Sequence, residues 1–124
     1  MKDKNCVFCK IVSKEIPAEI VYEDDKFLAF LDINPRSAGH SLVIPKDHYR
    51  WVWDIPNAGE YFEVVKKIAL AQKKAFNQEI ILGRIEGKDV FHAHFWVYPD
   101  KTSKDCDARD FKCNAEKIRD ALKN

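Results

Sequence analysis

Apolar and polar positions along the chain fall into short blocks whose period switches between two and about 3.6. The clearest block is Val90 to Tyr98, where His92, His94, Trp96 and Tyr98 alternate with Phe91, Ala93, Phe95 and Val97. Strict alternation of aromatic and branched residues predicts a strand, with one apolar face and two imidazoles and an indole on the other. Ile20 to Tyr22 and Phe27 to Leu31 flank a charged turn, Glu23 to Lys26, and predict a hairpin. Ser41 to Ile44, stopped by Pro45, and Ile80 to Leu82 predict two more strands, with Gly83 to Gly87 a short turn before the central one.

Helical spacing appears three times. Val7, Phe8, Ile11 and Val12 predict a short helix from about Val7 to Ser13, ended by Pro17. From Ala58 to Asn77 a broad stripe (Tyr61, Phe62, Val64, Val65, Ile68, Ala69, Ala75, Phe76) is interrupted only by Gln72. Lys66, Lys67, Lys73 and Lys74 occupy the opposite, solvated face, and Asp54 or Asn57 is the expected cap. After a polar stretch, Lys101 to Lys112, a terminal helix is expected over Ala115 to Leu122. Trp51 and Trp53 are aromatic enough to cover the sheet or a neighbouring subunit. The sum is an α+β fold: an antiparallel sheet of about five strands with one long helix, a short N-terminal helix and a C-terminal helix.

Composition narrows the class. The 124 residues suffice for one domain (1–124), with a core over about 6–99 and a C-terminal tail and helix over 100–124. Hydrophobic residues at 46%, charged residues at 33% and a net charge of +1 fit a globular chain with no electrostatic footprint for nucleic acid or membrane. The N-terminal residues lack a signal-like apolar segment, so a cytoplasmic protein with reduced thiols is expected. Cys106 and Cys113 then read as incidental.

The candidate chemistry begins with His92 and His94, neighbours on one sheet face. Neutral imidazole is both a ligand and a nucleophile, and the plain alternative is a pair of hydrogen-bonded, half-buried histidines. Cys6 and Cys9 have the spacing of a zinc-gripping pair, or of a redox pair. His48 alone reads as a solvated loop residue.

Two separated blocks resemble the histidine-triad (HIT) superfamily, in its Hint-like branch. One is Asp32 to His48, Asp-Ile-Asn-Pro-Arg-Ser-Ala-Gly-His-Ser-Leu-Val-Ile-Pro-Lys-Asp-His; the other runs from Gly87 to His94 and starts a His-x-His-x-His signature. Cys6 to Ile11 and Lys14 to Ala18 resemble the family's N-terminal opening. The resemblance implies that His94 attacks the α-phosphorus of a nucleotide, giving a nucleotidyl-histidine that water hydrolyses. It implies that Asp32 holds the ribose hydroxyls, for which the alternative is a loop-capping Asx turn. It places Phe8, Ile16, Phe30 and Ile33, with Val7 and Ile11, around a purine, though a core would use the same residue types. It implies a structural Zn2+ held by Cys6, Cys9, His48 and His92, and a two-fold homodimer.

The chain departs from the family pattern where phosphate would sit. The third triad position is Trp96, whose indole donates one N–H and is neither acid nor base near neutrality. Gly87-Lys88-Asp89 stands where Gly-Gln-Ser is usual: Lys88 suits a phosphate, and Asp89 repels one if it keeps the serine's orientation. The expectation is therefore a hydrolase or nucleotidyl transferase acting on a purine nucleotide or nucleoside phosphoramidate. The alternatives are a zinc-stabilised binding module that has lost turnover and a redox protein working through Cys6 and Cys9.

Overall fold

The computed structural model describes residues 3–123. Five strands, β1 (Ile20–Glu23), β2 (Phe27–Leu31), β3 (Ser41–Pro45), β4 (Ile81–Ile85) and β5 (Phe95–Pro99), form one antiparallel sheet in the order β1-β2-β3-β5-β4. Helices α1 (Val7–Val12), α2 (Ala58–Phe76) and α3 (Phe111–Leu122) and a 3-10 turn at Val52–Asp54 complete the expected α+β fold. Among the described residues no helix is long and apolar enough to cross a membrane.

β2 and β3 are buried at every position because both faces of the sheet are covered. Phe27, Ala29, Leu31, Val43 and Val97 pack with α2 and α3 in the larger core. Leu28, Phe30, Leu42 and Ile44 face the other way, in a smaller core closed by α1 and flanked by Trp96. The functional face is the α1 side.

α2 owes its seat to the expected stripe, and its lysines are exposed. Gln72, the apparent flaw in that stripe, is fully buried and donates to the carbonyls of Gly39 and Val97, each at 2.9 Å. Tyr61 donates its hydroxyl to the Val43 carbonyl at 2.6 Å. These bonds pin the helix to β3, β5 and the turn before β3. Asn57 is the N-cap residue, but its side chain makes no capping bond.

Several boundaries differ from expectation. β4 runs straight through Gly83, which pairs with Val97, so there is no turn there. A Cβ at Gly83 would lie 2.6 Å from the Phe95 ring, so this glycine serves close approach within a strand. Pro45 belongs to β3 and pairs with Phe27. α3 begins at Phe111, ahead of Ala115, because Asp110 caps it by accepting from the Cys113 N–H.

The central strand is shorter than its alternation. Ladder pairing starts at Phe95, opposite Ile85, the last residue of β4. Residues 90–94 lie outside the sheet, and the Ala93 N–H goes to the Tyr49 carbonyl at 2.6 Å. The facing still alternates at Ala93, which enters the larger core, but Phe91 is 59% exposed. Trp53 is exposed rather than laid on the sheet, and Val52 fills the core instead. Cys106 and Cys113 form a disulfide, contrary to the reduced, incidental reading: their Cα atoms are 6.1 Å apart once the loop folds back on α3.

Candidate active site and metal-ligand cluster

A cleft of about 410 Å³ opens between α1, the loop after β2 and the segment leading into β5. Phe8, Ile16, Phe30, Asp32, Ile33, Lys88, Asp89, His94 and Trp96 all line it, so residues separated by more than sixty positions share one site. Its floor is apolar, with the Phe8 and Phe30 rings edge to face at 5.4 Å. Ile33 stands at the rim, 74% exposed.

His94 sits in this wall, 7% exposed, with its ring 5.2 Å from that of Phe8. Its Nδ1 lies 2.7 Å from the His92 carbonyl, which can only accept, so Nδ1 carries the proton and Nε2 the lone pair. Burial, aided by the charge of Arg50, lowers its pKa and favours neutral imidazole. An oriented, unprotonated ring nitrogen is what nucleophilic attack requires.

Asp32 divides its carboxylate. Oδ1 accepts from the Asn34 N–H at 2.8 Å, an Asx turn, while Oδ2 is 3.6 Å from Nε2 of His40. His40 received no role from the sequence, although it stands inside the Asp32–His48 block. Its Nδ1 accepts from the Arg36 N–H at 3.0 Å, so Nε2 bears hydrogen, and that buried atom has no hydrogen-bond partner. Burial holds its pKa down to about 4, against the pull of Asp32. Its ring also borders Trp96 and Tyr98, at 5.4 and 4.9 Å.

Arg50 was also missed. Its guanidinium is stacked between Trp51 and Phe91, 3.9 and 4.1 Å from their ring centres, with a buried Nη1 that lacks a hydrogen-bond partner. For Trp51, expected with Trp53 to cover the sheet or a neighbouring subunit, the observed partner is this guanidinium. No sequence pattern announces such a loop arginine. Glu86, also in the cleft wall, pairs with Arg84 at 2.9 Å.

Behind the cleft, Cys6, Cys9, His48 and His92 bring their ligand atoms within 4.8 Å of one another. Cys6 caps α1 and Cys9 lies in its first turns, so one short helix delivers both sulfurs. Nδ1 of His92 is 3.3 and 3.5 Å from the two sulfurs, and Nδ1 of His48 is 3.4 Å from Cys9 Sγ. Tetrahedral zinc with ordinary bond lengths spaces sulfur and nitrogen ligands about 3.6 Å apart. His92 Nε2 is 2.8 Å from the Pro45 carbonyl, so it donates there and turns an unprotonated Nδ1 toward the sulfurs. Burial pushes the Cys6 thiol up, a penalty that a bound cation would offset. The donor set, its spacing and this outer hydrogen bond fit a metal ion.

A five-stranded antiparallel sheet, entered through a His-x-His pair beneath an apolar cleft, defines a protein of the histidine-triad type. The HIT domain family profile matches residues 13–103, and the chain belongs to that family. An uncharacterised HIT-like protein of Methanocaldococcus jannaschii is 45% identical over 76% of this chain and 78% of its own length. The adenylylsulfatase HINT3 of Arabidopsis thaliana is 40% identical over 82% of this chain and 55% of its own. The adenosine 5′-monophosphoramidase HNT1 of Saccharomyces cerevisiae is 37% identical over 82% and 66%. Among solved structures, a Zn-bound histidine triad family protein of Mycobacterium smegmatis superposes with a TM-score of 0.80 at 35% identity, over 96% of this chain and 94% of that one. A Hit-like protein of Bartonella henselae reaches 0.84 at 36% identity, over 98% and 99%.

Proposed function

We propose that this chain is a nucleotide-binding hydrolase or nucleotidyl transferase in which His94 is the nucleophile. The observation that carries the reading is the fixed tautomer of His94, which leaves Nε2 unprotonated in the cleft wall. Its lone pair forms a bond to the α-phosphorus as the bond from phosphorus to the leaving group breaks, and the leaving group departs with that electron pair. Water then adds to phosphorus and gives up a proton to solvent, the N–P bond breaks, and Nε2 recovers its lone pair. Phe8, Ile16, Phe30 and Ile33 would take the purine, Oδ2 of Asp32 a ribose hydroxyl, and Lys88 the developing phosphate charge. Asp89 and Trp96 would bound the phosphate end. The names of the yeast and plant relatives, a monophosphoramidase and an adenylylsulfatase, support this chemistry.

Cys6, Cys9, His48 and His92 would hold a structural zinc, which supplies a closed tetrahedral cross-link between α1 and the segment before β5. Native mass spectrometry of the protein purified without chelator should find one zinc per chain; metal-free protein would remove this part. A homodimer is part of the same reading, and light scattering that gives one chain's mass at micromolar concentration would count against it. A turnover-deficient binding module is the second reading, favoured by one feature: Trp96 stands where the family has its third histidine.

The test is incubation with adenosine phosphoramidate followed by acid quench and mass spectrometry. A nucleotidyl adduct on His94 together with released AMP supports the enzyme. Nucleotide binding by calorimetry with neither adduct nor release would favour the binding module.

A further inference from the structure

One register line crosses the cleft face of the sheet: Ile20 opposite Phe30, Phe30 opposite Leu42, Leu42 opposite Trp96, and Trp96 opposite Arg84. Directly paired residues share a face and neighbouring strands are about 4.8 Å apart, so Arg84 lies roughly 14 Å along this line from Phe30. The line begins apolar, becomes aromatic and ends cationic. A nucleotide with its base over Phe30 would direct whatever follows its α-phosphate toward Trp96 and Arg84. Two guanidinium groups border Trp96 there, at the end of the cleft rather than in its lining. Arg84 Cζ is 5.3 Å and Arg36 Cζ 5.1 Å from the Trp96 ring centre. Both arginines are exposed; Arg84 is paired with Glu86, and Arg36 has no ion pair among the described residues. A guanidinium that meets a ring by its face keeps its in-plane N–H donors for an anion, all of them in Arg36 and, in Arg84, those that Glu86 does not engage through Nη2.

We propose that Trp96, Arg36 and Arg84 form a leaving-group subsite for an oxyanion, a phosphate chain or a sulfate joined to the α-phosphorus. The inference rests on the nucleotide reading of the cleft. Its chemical sense lies in what indole cannot do. An amine leaving group must take up a proton as its P–N bond breaks, and Trp96 has no titratable proton to give. A phosphate or sulfate departs as the anion, with the electron pair of the broken bond on its oxygen, and needs charge neutralisation instead. Replacing a histidine by a tryptophan stacked on two arginines changes the leaving group that the site serves.

Calorimetry with AMP and with α,β-methylene ADP tests this without any turnover. The methylene analogue should bind about tenfold tighter than AMP, one charge-assisted contact's worth. That advantage should vanish in the Arg36→Ala/Arg84→Ala double variant and return in part with lysines at both positions. Among turnover arms, the kcat/KM ratio of adenylyl sulfate to adenosine phosphoramidate, and of diadenosine polyphosphate to adenosine phosphoramidate, should each fall about tenfold in the alanine double variant. A fall in only one arm identifies which oxyanion the subsite serves. Equal affinities in the wild type, or an advantage that survives both alanines, overturns the subsite. Failure of the wild type to bind AMP overturns the nucleotide reading with it. AMP binding with an arginine-dependent preference but no turnover retains the subsite and rejects only the hydrolase.

Discussion

His40 and His94 are both buried with pKa values held below that of free histidine, His40 at about 4. The unfolded chain, with its histidines near 6.5, therefore binds more protons than the native one as the pH falls below that value. Stability should decline from about pH 6.5 to about pH 4. Urea unfolding across that range should show a shallower slope for His40→Gln; an unchanged slope would mean that His40 titrates normally. If His94 is the nucleophile as proposed, His94→Ala should lower turnover by about ten-thousand-fold while leaving the circular dichroism spectrum intact. Unchanged turnover would put the activity elsewhere. At this scale the sequence was readable wherever a motif gave a residue a partner: Cys6, Cys9, His48 and His92 come together as the resemblance implied. The environment of Arg50 was not readable, because stacking between Trp51 and Phe91 depends on how two distant loops meet.

The elements separate what periodicity reports from what it does not. Period two correctly implied that His94 and Trp96 share the cleft wall while Ala93 and Val97 enter the larger core. It could not say where pairing stops, because that depends on the neighbouring strands rather than on β5. Gly83 reads as the start of a turn in the sequence, since glycine marks turns and close packing alike, and here the Phe95 ring decides. Gln72, a polar residue in an apolar stripe, is the bond between α2 and the sheet. Gln72→Leu should destabilise the fold by about 2 kcal/mol despite its greater hydrophobicity, because it strips two buried carbonyls of their donor. Chemical denaturation would measure it, and a neutral effect would mean that those carbonyls find another partner.

Over the whole molecule, the disulfide between Cys106 and Cys113 closes a loop whose Arg109 donates to the Ile33 carbonyl at 3.2 Å, beside the Asp32 turn. The spacing of two cysteines could not reveal this pairing, because it needs Asp110 to cap α3 and turn the chain back. Cys113→Ser should lower stability by about 2–3 kcal/mol, chiefly through the freed denatured chain. Equal unfolding midpoints for the variant and the parent would mean that the bond does not form in solution.

α1 has a further consequence. Its six residues are too few to form a stable helix alone, yet it carries Cys9, follows directly on Cys6, and sets Phe8 between the cluster and His94, 5.9 Å from His92 and 5.2 Å from His94. In the proposed reading, the order of that single turn and a half is shared by two ligands. Thermodynamic reciprocity then requires that zinc, if the cluster holds it, strengthen nucleotide binding by the same factor that nucleotide strengthens zinc binding. Paired titrations, nucleotide into metal-loaded and metal-stripped protein and zinc into protein with and without AMP, should give one coupling factor above unity. A factor of one would mean that the helix stands without help from either ligand.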